Sequence, residues 1–474
     1  MRLSYSKQQD GLFDRAHRYF GLAKQIPYDM GDEELEGLLR FLPPDARNSV
    51  SSFLTRRFRR AGIAFIKMMG RWLDQAVRAR EEGRKIILVP FNFPPEVIYA
   101  FDGAVPLTSE MLSTMGVVSL EGQGERYWDF AMGLGIPDSL CSSNTIALGS
   151  MLTGGDFTPD AIVQSAPGSC DANAKIHEFA ARYHDIPQFF LEKPTDFGRR
   201  GREQYSLYFR RFMEELQEFI GEELDEHRVR EIMGRANRCT ELYYELWDLH
   251  KPVPCPVPNI FSPITCGTRF CTWGLQEGVD MLEIMVETAK EIMKKQDYPA
   301  REEIARALWI YLPYYFDFSG FFNWMEDKGI SYLDDLLTLC FPSPVDTSGM
   351  DAMLEGMAEA TWNMPMTRQM GGDSMLTCWL DDIVYAVKEL GANCAIYCGH
   401  HSCKQTWSVF SAVRSEIQKR AGVPTLCLQG DSWIRRMTPV SYLQDEISSF
   451  VDNVVNRKRR RPRVKNKLKN GVSG

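Results

Sequence analysis

Two doubly wound parallel-sheet α/β domains are what this 474-residue sequence predicts, with a helical extension before them and a helical segment between them. Three observations carry that reading. Short apolar runs of strand length alternate with longer stretches of helical spacing, the pattern of βαβ units. The alternation occurs twice, on either side of a densely charged region that reads as helix throughout. Before the first unit the pattern is helical only.

The helical extension is residues 1–85. In "DEELEGLLRFL" and "AFIKMMGRWLDQAVRAREEG" apolar residues recur every three or four positions, which gathers them on one helix face. The first α/β domain, 86–200, opens on the buried strand "KIILVP". Prolines mark the loop after it, and "PEVIYAF" begins a helix with Pro95 in its first turn. The strand "DAIVQSA" then leads through "PGSC" into the helix "DANAKIHEFAARYH", and "PQFFLEKP" is the next strand. Residues 201–300, with "FMEELQEFIGEELDEHRVREIMG", form the helical connection. The second α/β domain, 301–455, starts near "ALWIYLPYY" and runs through the strand "CAIYCG", the helix "TWSVFSAVRSEIQKRAG" and the strand "PTLCLQGD". Both units are expected to be flavodoxin- or Rossmann-like. Residues 456–474 have no apolar face and read as a disordered basic tail.

Composition excludes several classes. A net charge of -8 gives no general pull towards nucleic acid or anionic membranes, and no uncharged apolar stretch is long enough to span a bilayer. The N-terminus is interrupted by Asp10, Asp14 and Arg15 and lacks the apolar core of a secretory signal. A cytoplasmic location is expected, where thiols stay reduced. The twelve cysteines therefore read as metal ligands, catalytic thiols or small buried hydrophobes rather than disulfides. There is no G-x-x-x-x-G-K-[ST], and neither "GQGERYW" nor "GLGIPDS" is a dinucleotide fingerprint.

Three cysteines share a setting. Cys170 follows the strand "DAIVQSA" and begins a helix; Cys403 follows "CAIYCG" and begins another; Cys141 precedes Ser142, Ser143 and Asn144, residues that cap helix starts. Helix N-termini at the carboxyl ends of parallel strands are where ligands bind, and their dipole favours a thiolate over a thiol. Structural zinc wants four ligands and often a close C-x-x-C pair, which these positions lack. Three widely spaced thiolates suit an iron–sulfur cubane with one iron left open. The competing reading, ordinary buried cysteine, is preferred for Cys239, Cys266, Cys340, Cys378, Cys394 and Cys427.

Five segments in order then carry a resemblance. They are "FNFPPEVIYAFDGAVPL", "LCSSNTIALG", "DAIVQSAPGSCDANAKIHEFAARYHDIPQFFLEKP", the helical "RANR", and "YCGHHSCKQTW" followed by "GVPTLCLQGD". Together they resemble the subunits of 2-hydroxyacyl-CoA dehydratases and ATP-dependent benzoyl-CoA reductases. The resemblance implies a [4Fe-4S] cluster held by Cys141, Cys170 and Cys403 beside a CoA-thioester site. It also implies a homologous second subunit and an iron–sulfur ATPase activator that delivers one low-potential electron, forming a ketyl radical on the thioester. A dehydratase would then expel a hydroxyl group; a reductase would dearomatise a ring. Cluster physics further suggests burial with few hydrogen bonds to the sulfurs. Glu96, His400 and His401 are the candidate acid–base groups, and Lys404 and Trp407 either line the site or pack the helix.

One departure bears on the reaction. Some similar catalytic subunits carry serine before the F-P dipeptide, where this chain has Pro90, Phe91 and Asn92. The alternatives are a homodimeric small-molecule reductase with a double-cubane [8Fe-9S] cluster, a non-catalytic electron-relay subunit, and a zinc-stabilised α/β binding protein. The basic tail reads as a solvated extension, with steering of an acidic activator or of CoA, or non-specific RNA binding, as other readings.

Overall fold

The computed structural model describes residues 11–41, 47, 50–51, 53–54, 57–119, 124–153, 158–165, 170–194, 196, 198–315, 318–368 and 376–456. The basic tail beyond residue 456 lies outside them. Two four-stranded sheets, each all-parallel, are the framework. The first comprises β1 (Lys85–Val89), β2 (Ala104–Thr108), β3 (Ala161–Ser165) and β4 (Gln188–Leu191), in spatial order β2-β1-β3-β4. The second comprises β5 (Ala305–Tyr311), β6 (Ile330–Asp334), β7 (Cys394–His400) and β8 (Thr425–Gly430), in order β6-β5-β7-β8. The α/β class and the two-sheet architecture expected from the sequence are therefore present.

Central strands are apolar because both of their faces are covered. All seven residues of β5 and all seven of β7 are buried. Pro106 sits inside β2, which is an edge strand, where a missing backbone donor is tolerated.

In each sheet the chain reverses direction of progress at one point, between β1 and β3 and between β5 and β7. Ligands bind outside the carboxyl ends of the strands at such switch points. The loops leaving β1, β2, β3, β5, β7 and β8 all reach one cavity.

The N-terminal and middle helices hold these sheets. The helix Glu226–Leu249 starts at Asp225, whose carboxylate accepts the Arg228 N–H at 2.8 Å, a cap worth about 1 kcal/mol. It buries Val229, Ile232, Met233, Ala236, Leu242, Leu246 and Trp247 at helical spacing. It packs along Gln276–Lys295, which also meets the N-terminal helix Arg59–Glu81. Arg228 reaches from this helix to the carbonyls of Tyr99 and Phe101 at 3.2 and 3.1 Å, tying it to the turn that enters β2. Among the described residues, no helix is long and apolar enough to cross a membrane.

Candidate functional site

Cys141, Cys170 and Cys403 each occupy the N-cap position of a helix: Ser142–Leu152, Asp171–His184 and Lys404–Ala421 respectively. Two different sheets supply them, and all three line one cavity of about 110 Å³. That is room for several water-sized particles. The apolar wall is Phe91, Leu140, Leu312, Met366 and Trp433; Glu110, Asn144, Asp171 and Lys404 add polar groups.

The three thiols sense one another. Burial pushes the Cys141 thiol up to about 12; the amide N–H groups of Asn144 and Ser143 oppose this, and Cys403 and Asp431 reinforce it. Cys170 is also pushed well above the usual thiol range, by burial first and then by Cys141, with Cys403 adding to it. The helix amides therefore act in the expected direction, but burial outweighs them for Cys141 and Cys170 until a cation arrives. Cation binding would then release the protons. Among the described residues no three His, Cys, Asp or Glu side chains converge closely enough for a single metal ion. A group held by all three thiols must span more than one ion does.

His400, the last residue of β7, stands behind Cys141 with its Nε2 at 3.7 Å from Sγ. The Ser432 N–H donates to its Nδ1 at 3.2 Å, so the hydrogen of the neutral ring sits on Nε2, which also meets Ser402 Oγ at 3.1 Å. Burial pulls the His400 pKa down, against the pull of Asp431. Asp431 is itself shared: its Oδ1 accepts the Ser142 hydroxyl at 2.7 Å and the N–H groups of Trp433 and Ile434 at 2.9 Å each. One carboxylate thus joins the loop after β8 to the helix start beside Cys141. Trp407 packs rather than lines. A Cβ at Gly399 would stand 2.0 Å from its ring, so only glycine lets the indole lie there and donate to the His400 carbonyl at 3.0 Å.

Two expected residues lie elsewhere. Glu96 is in a buried ion pair with Arg269, 2.9 Å apart and outside the thiol cavity. His401 is exposed, and its backbone N–H is bound to the Gly430 carbonyl at 2.7 Å.

Two unanticipated residues line the cavity. Glu110, directly after β2, is 5% exposed and accepts from the Phe91 N–H at 3.1 Å, the Ser109 hydroxyl at 2.7 Å and the Asn173 amide. Burial raises its pKa despite these bonds, which favours the protonated acid. Ser109 Oγ also meets His177 Nε2 at 3.2 Å, and burial pushes that histidine down to about 4. Tyr311, ending β5, has φ of +85°, a conformation that costs a bulky residue about 1–3 kcal/mol. It lines the cavity beside Cys403, and burial and the nearby thiols raise its pKa well above the usual tyrosine range. Of Pro90, Phe91 and Asn92 before the F-P dipeptide, Phe91 lines the cavity.

Two parallel sheets that share a thiol-lined cavity at their switch points define an α/β protein whose ligand site needs both halves of the chain. The family model for the 2-hydroxyglutaryl-CoA dehydratase D-component matches residues 90–454, and the chain belongs to that family of 2-hydroxyacyl-CoA dehydratase subunits. That span contains Cys141, Cys170 and Cys403 with their helix starts. No curated protein gives a match.

Proposed function

We propose that this chain is the iron–sulfur subunit of a 2-hydroxyacyl-CoA dehydratase or benzoyl-CoA reductase-type enzyme. Cys141, Cys170 and Cys403 would hold a [4Fe-4S] cluster. The observation that carries this is the meeting of three N-cap cysteines, from two sheets, in one cavity. The donor set fits: three thiols, no fourth, and amide N–H groups at each helix start to offset thiolate charge.

When bound, the cluster supplies a single low-potential electron, received from an ATP-dependent activator, to a CoA-thioester carbonyl. The chain's own residues do the rest. Phe91, Leu140, Leu312, Met366 and Trp433 exclude water from the reacting carbonyl. Glu110, whose pKa burial raises, stands at the cavity wall and would give a proton to a departing hydroxyl oxygen or, when ionised, take one from the neighbouring carbon. Lys404 and Asp171 stand at exposed positions on the wall, where substrate enters.

Phe91 favours a second reading. Its apolar ring is on the wall and none of Pro90, Phe91 and Asn92 carries a hydroxyl, which weakens the case for handling a hydroxylated substrate. It strengthens that for a homodimeric reductase with an [8Fe-9S] double cubane, or for an electron-relay subunit beside a homologous partner.

The test is iron and acid-labile sulfide content, with EPR, on protein purified without oxygen, for wild type and Cys403→Ala. About four irons per chain, lost or degraded in the variant, support a thiol-held cluster; sulfide equal to iron supports the [4Fe-4S] reading, and sulfide in excess of iron, about nine to eight, in a homodimer supports the double cubane. Zinc, or no metal, sinks both and leaves an inherited fold.

A further inference from the structure

Hydrogen bonds to ligand sulfurs, with burial and net charge, set the potential of an iron–sulfur cluster. From the sequence, few such bonds were expected. The three thiols are in fact treated unequally. Cys141 faces the Nε2 of His400 at 3.7 Å; the Ser432 N–H on Nδ1 leaves the neutral ring's hydrogen on Nε2, which Ser402 Oγ also meets at 3.1 Å. Cys403 shares the cavity wall with Tyr311, the residue of positive φ that ends β5. Cys170, among the described residues, has the Asn173 backbone N–H but no side-chain donor.

We infer that His400 and Tyr311 are positioning residues which raise the reduction potential of the thiol-held cluster, by donating hydrogen bonds to the Cys141 and Cys403 sulfurs. The inference rests on the proposed cluster. Its physical basis is that a reduced cluster carries one more negative charge than the oxidised one. A donor aimed at its sulfur stabilises the reduced state more, as charge-assisted hydrogen bonds do. Both residues are buried at the cavity before any substrate arrives. His400 is fully buried and fixed at its other nitrogen, and Tyr311 is 3% exposed. Neither has to move to act. Cys170, lacking such a donor, is the corner at which charge is least offset.

The experiment uses the full chain, purified without oxygen, with iron and sulfide measured first and circular dichroism confirming the fold. The midpoint potential is then read by EPR-monitored titration with a chemical reductant. Tyr311→Phe keeps the ring and removes only the donor. His400→Leu removes the donor from Cys141, while His400→Gln keeps an amide N–H near the Nε2 position and serves as the conservative rescue. His401→Gln is the control.

The expected result is a more negative midpoint for Tyr311→Phe and for His400→Leu, a further shift in the double variant, recovery in His400→Gln, and no change in His401→Gln. Full iron content with unchanged midpoints in Tyr311→Phe and His400→Leu would overturn the inference and leave the cluster assignment standing. Less negative midpoints would overturn it equally. Wild-type protein without iron would overturn the cluster assignment itself, and this inference with it.

Discussion

Replacing Glu96 by glutamine separates a structural carboxylate from a catalytic one. Arg269 Nη1 donates to Glu96 Oε2 at 2.9 Å, and both side chains are 4% exposed. The guanidinium otherwise meets the Met364 sulfur at 2.7 Å and the Trp273 ring at 4.9 Å, and its Nε has no partner. Removing one charge of a buried pair costs about 3–5 kcal/mol, because the other charge stays buried and uncompensated. Glutamine keeps an acceptor oxygen, so the loss belongs at the lower end, about 3 kcal/mol. Glu96→Leu, which leaves no acceptor, belongs near the upper end, about 5 kcal/mol. Adding Arg269→Met to Glu96→Leu removes the stranded cation, and the double variant is expected to recover much of the single-variant loss. The assay is the urea midpoint followed by tryptophan fluorescence, since Trp273 lies against the pair, with iron content measured on the folded fraction. A Glu96→Gln protein with the wild-type midpoint but lost turnover would refute this reasoning and return Glu96 to the acid–base groups.

The other expectations concern the cavity wall. Glu110→Gln should retain iron but lose turnover by about 10²-fold or more, checked by single-turnover kinetics with the activator. Its folded pKa lies above the ordinary value, so the wild-type carboxyl costs stability as pH rises from the unfolded value through the folded one. Thermal melting of Glu110→Gln across pH should lack that decline. His177 runs the other way. It stays neutral in the fold down to about 4, while the unfolded chain takes its proton near 6.5, so stability falls as pH drops between those values. The loss is about 3 kcal/mol, and His177→Gln should flatten that limb of the melting curve. Ser142→Ala removes the hydroxyl that Asp431 accepts at 2.7 Å and should cost about 1.5–3 kcal/mol. The same change should speed loss of iron to a chelator, and an unchanged release rate would argue that the bond does not brace Cys141.

The cysteine positions were legible in the sequence because each signal is local. A strand-length apolar run, a cysteine and then a helix start are contiguous for Cys170 and Cys403, and Ser142, Ser143 and Asn144 mark the helix start after Cys141. What was missed depends on distant partners. Glu96 looks like a helix-start acid, and nothing near it reveals Arg269, 173 positions away. Glu110 belongs to the cavity only because β2 pairs with β1, and Pro106 disguised that strand. The buried Thr108, Ser109 and Glu110 after an apolar pentad were the available clue. Tyr311 reaches the wall through a backbone conformation that no propensity predicts for tyrosine. His400 and His401 are equal neighbours along the chain, and strand alternation separates them: His400 closes β7 and is buried, while His401 leaves the sheet and is exposed.

The two sheets are copies in topology, and the copies do not supply the cavity evenly. Cys170 follows the third strand of one sheet and Cys403 the third strand of the other, so this pair obeys an approximate internal symmetry. Cys141 breaks it: between β6 and β7 the helix Cys378–Glu389 is capped by Thr377, and its Cys378 does not line the cavity as Cys141 does. A symmetric pair of thiols would accept a bound group in either of two equivalent orientations. The odd third thiol leaves one, and so gives any uncoordinated corner of that group a single direction in which to face.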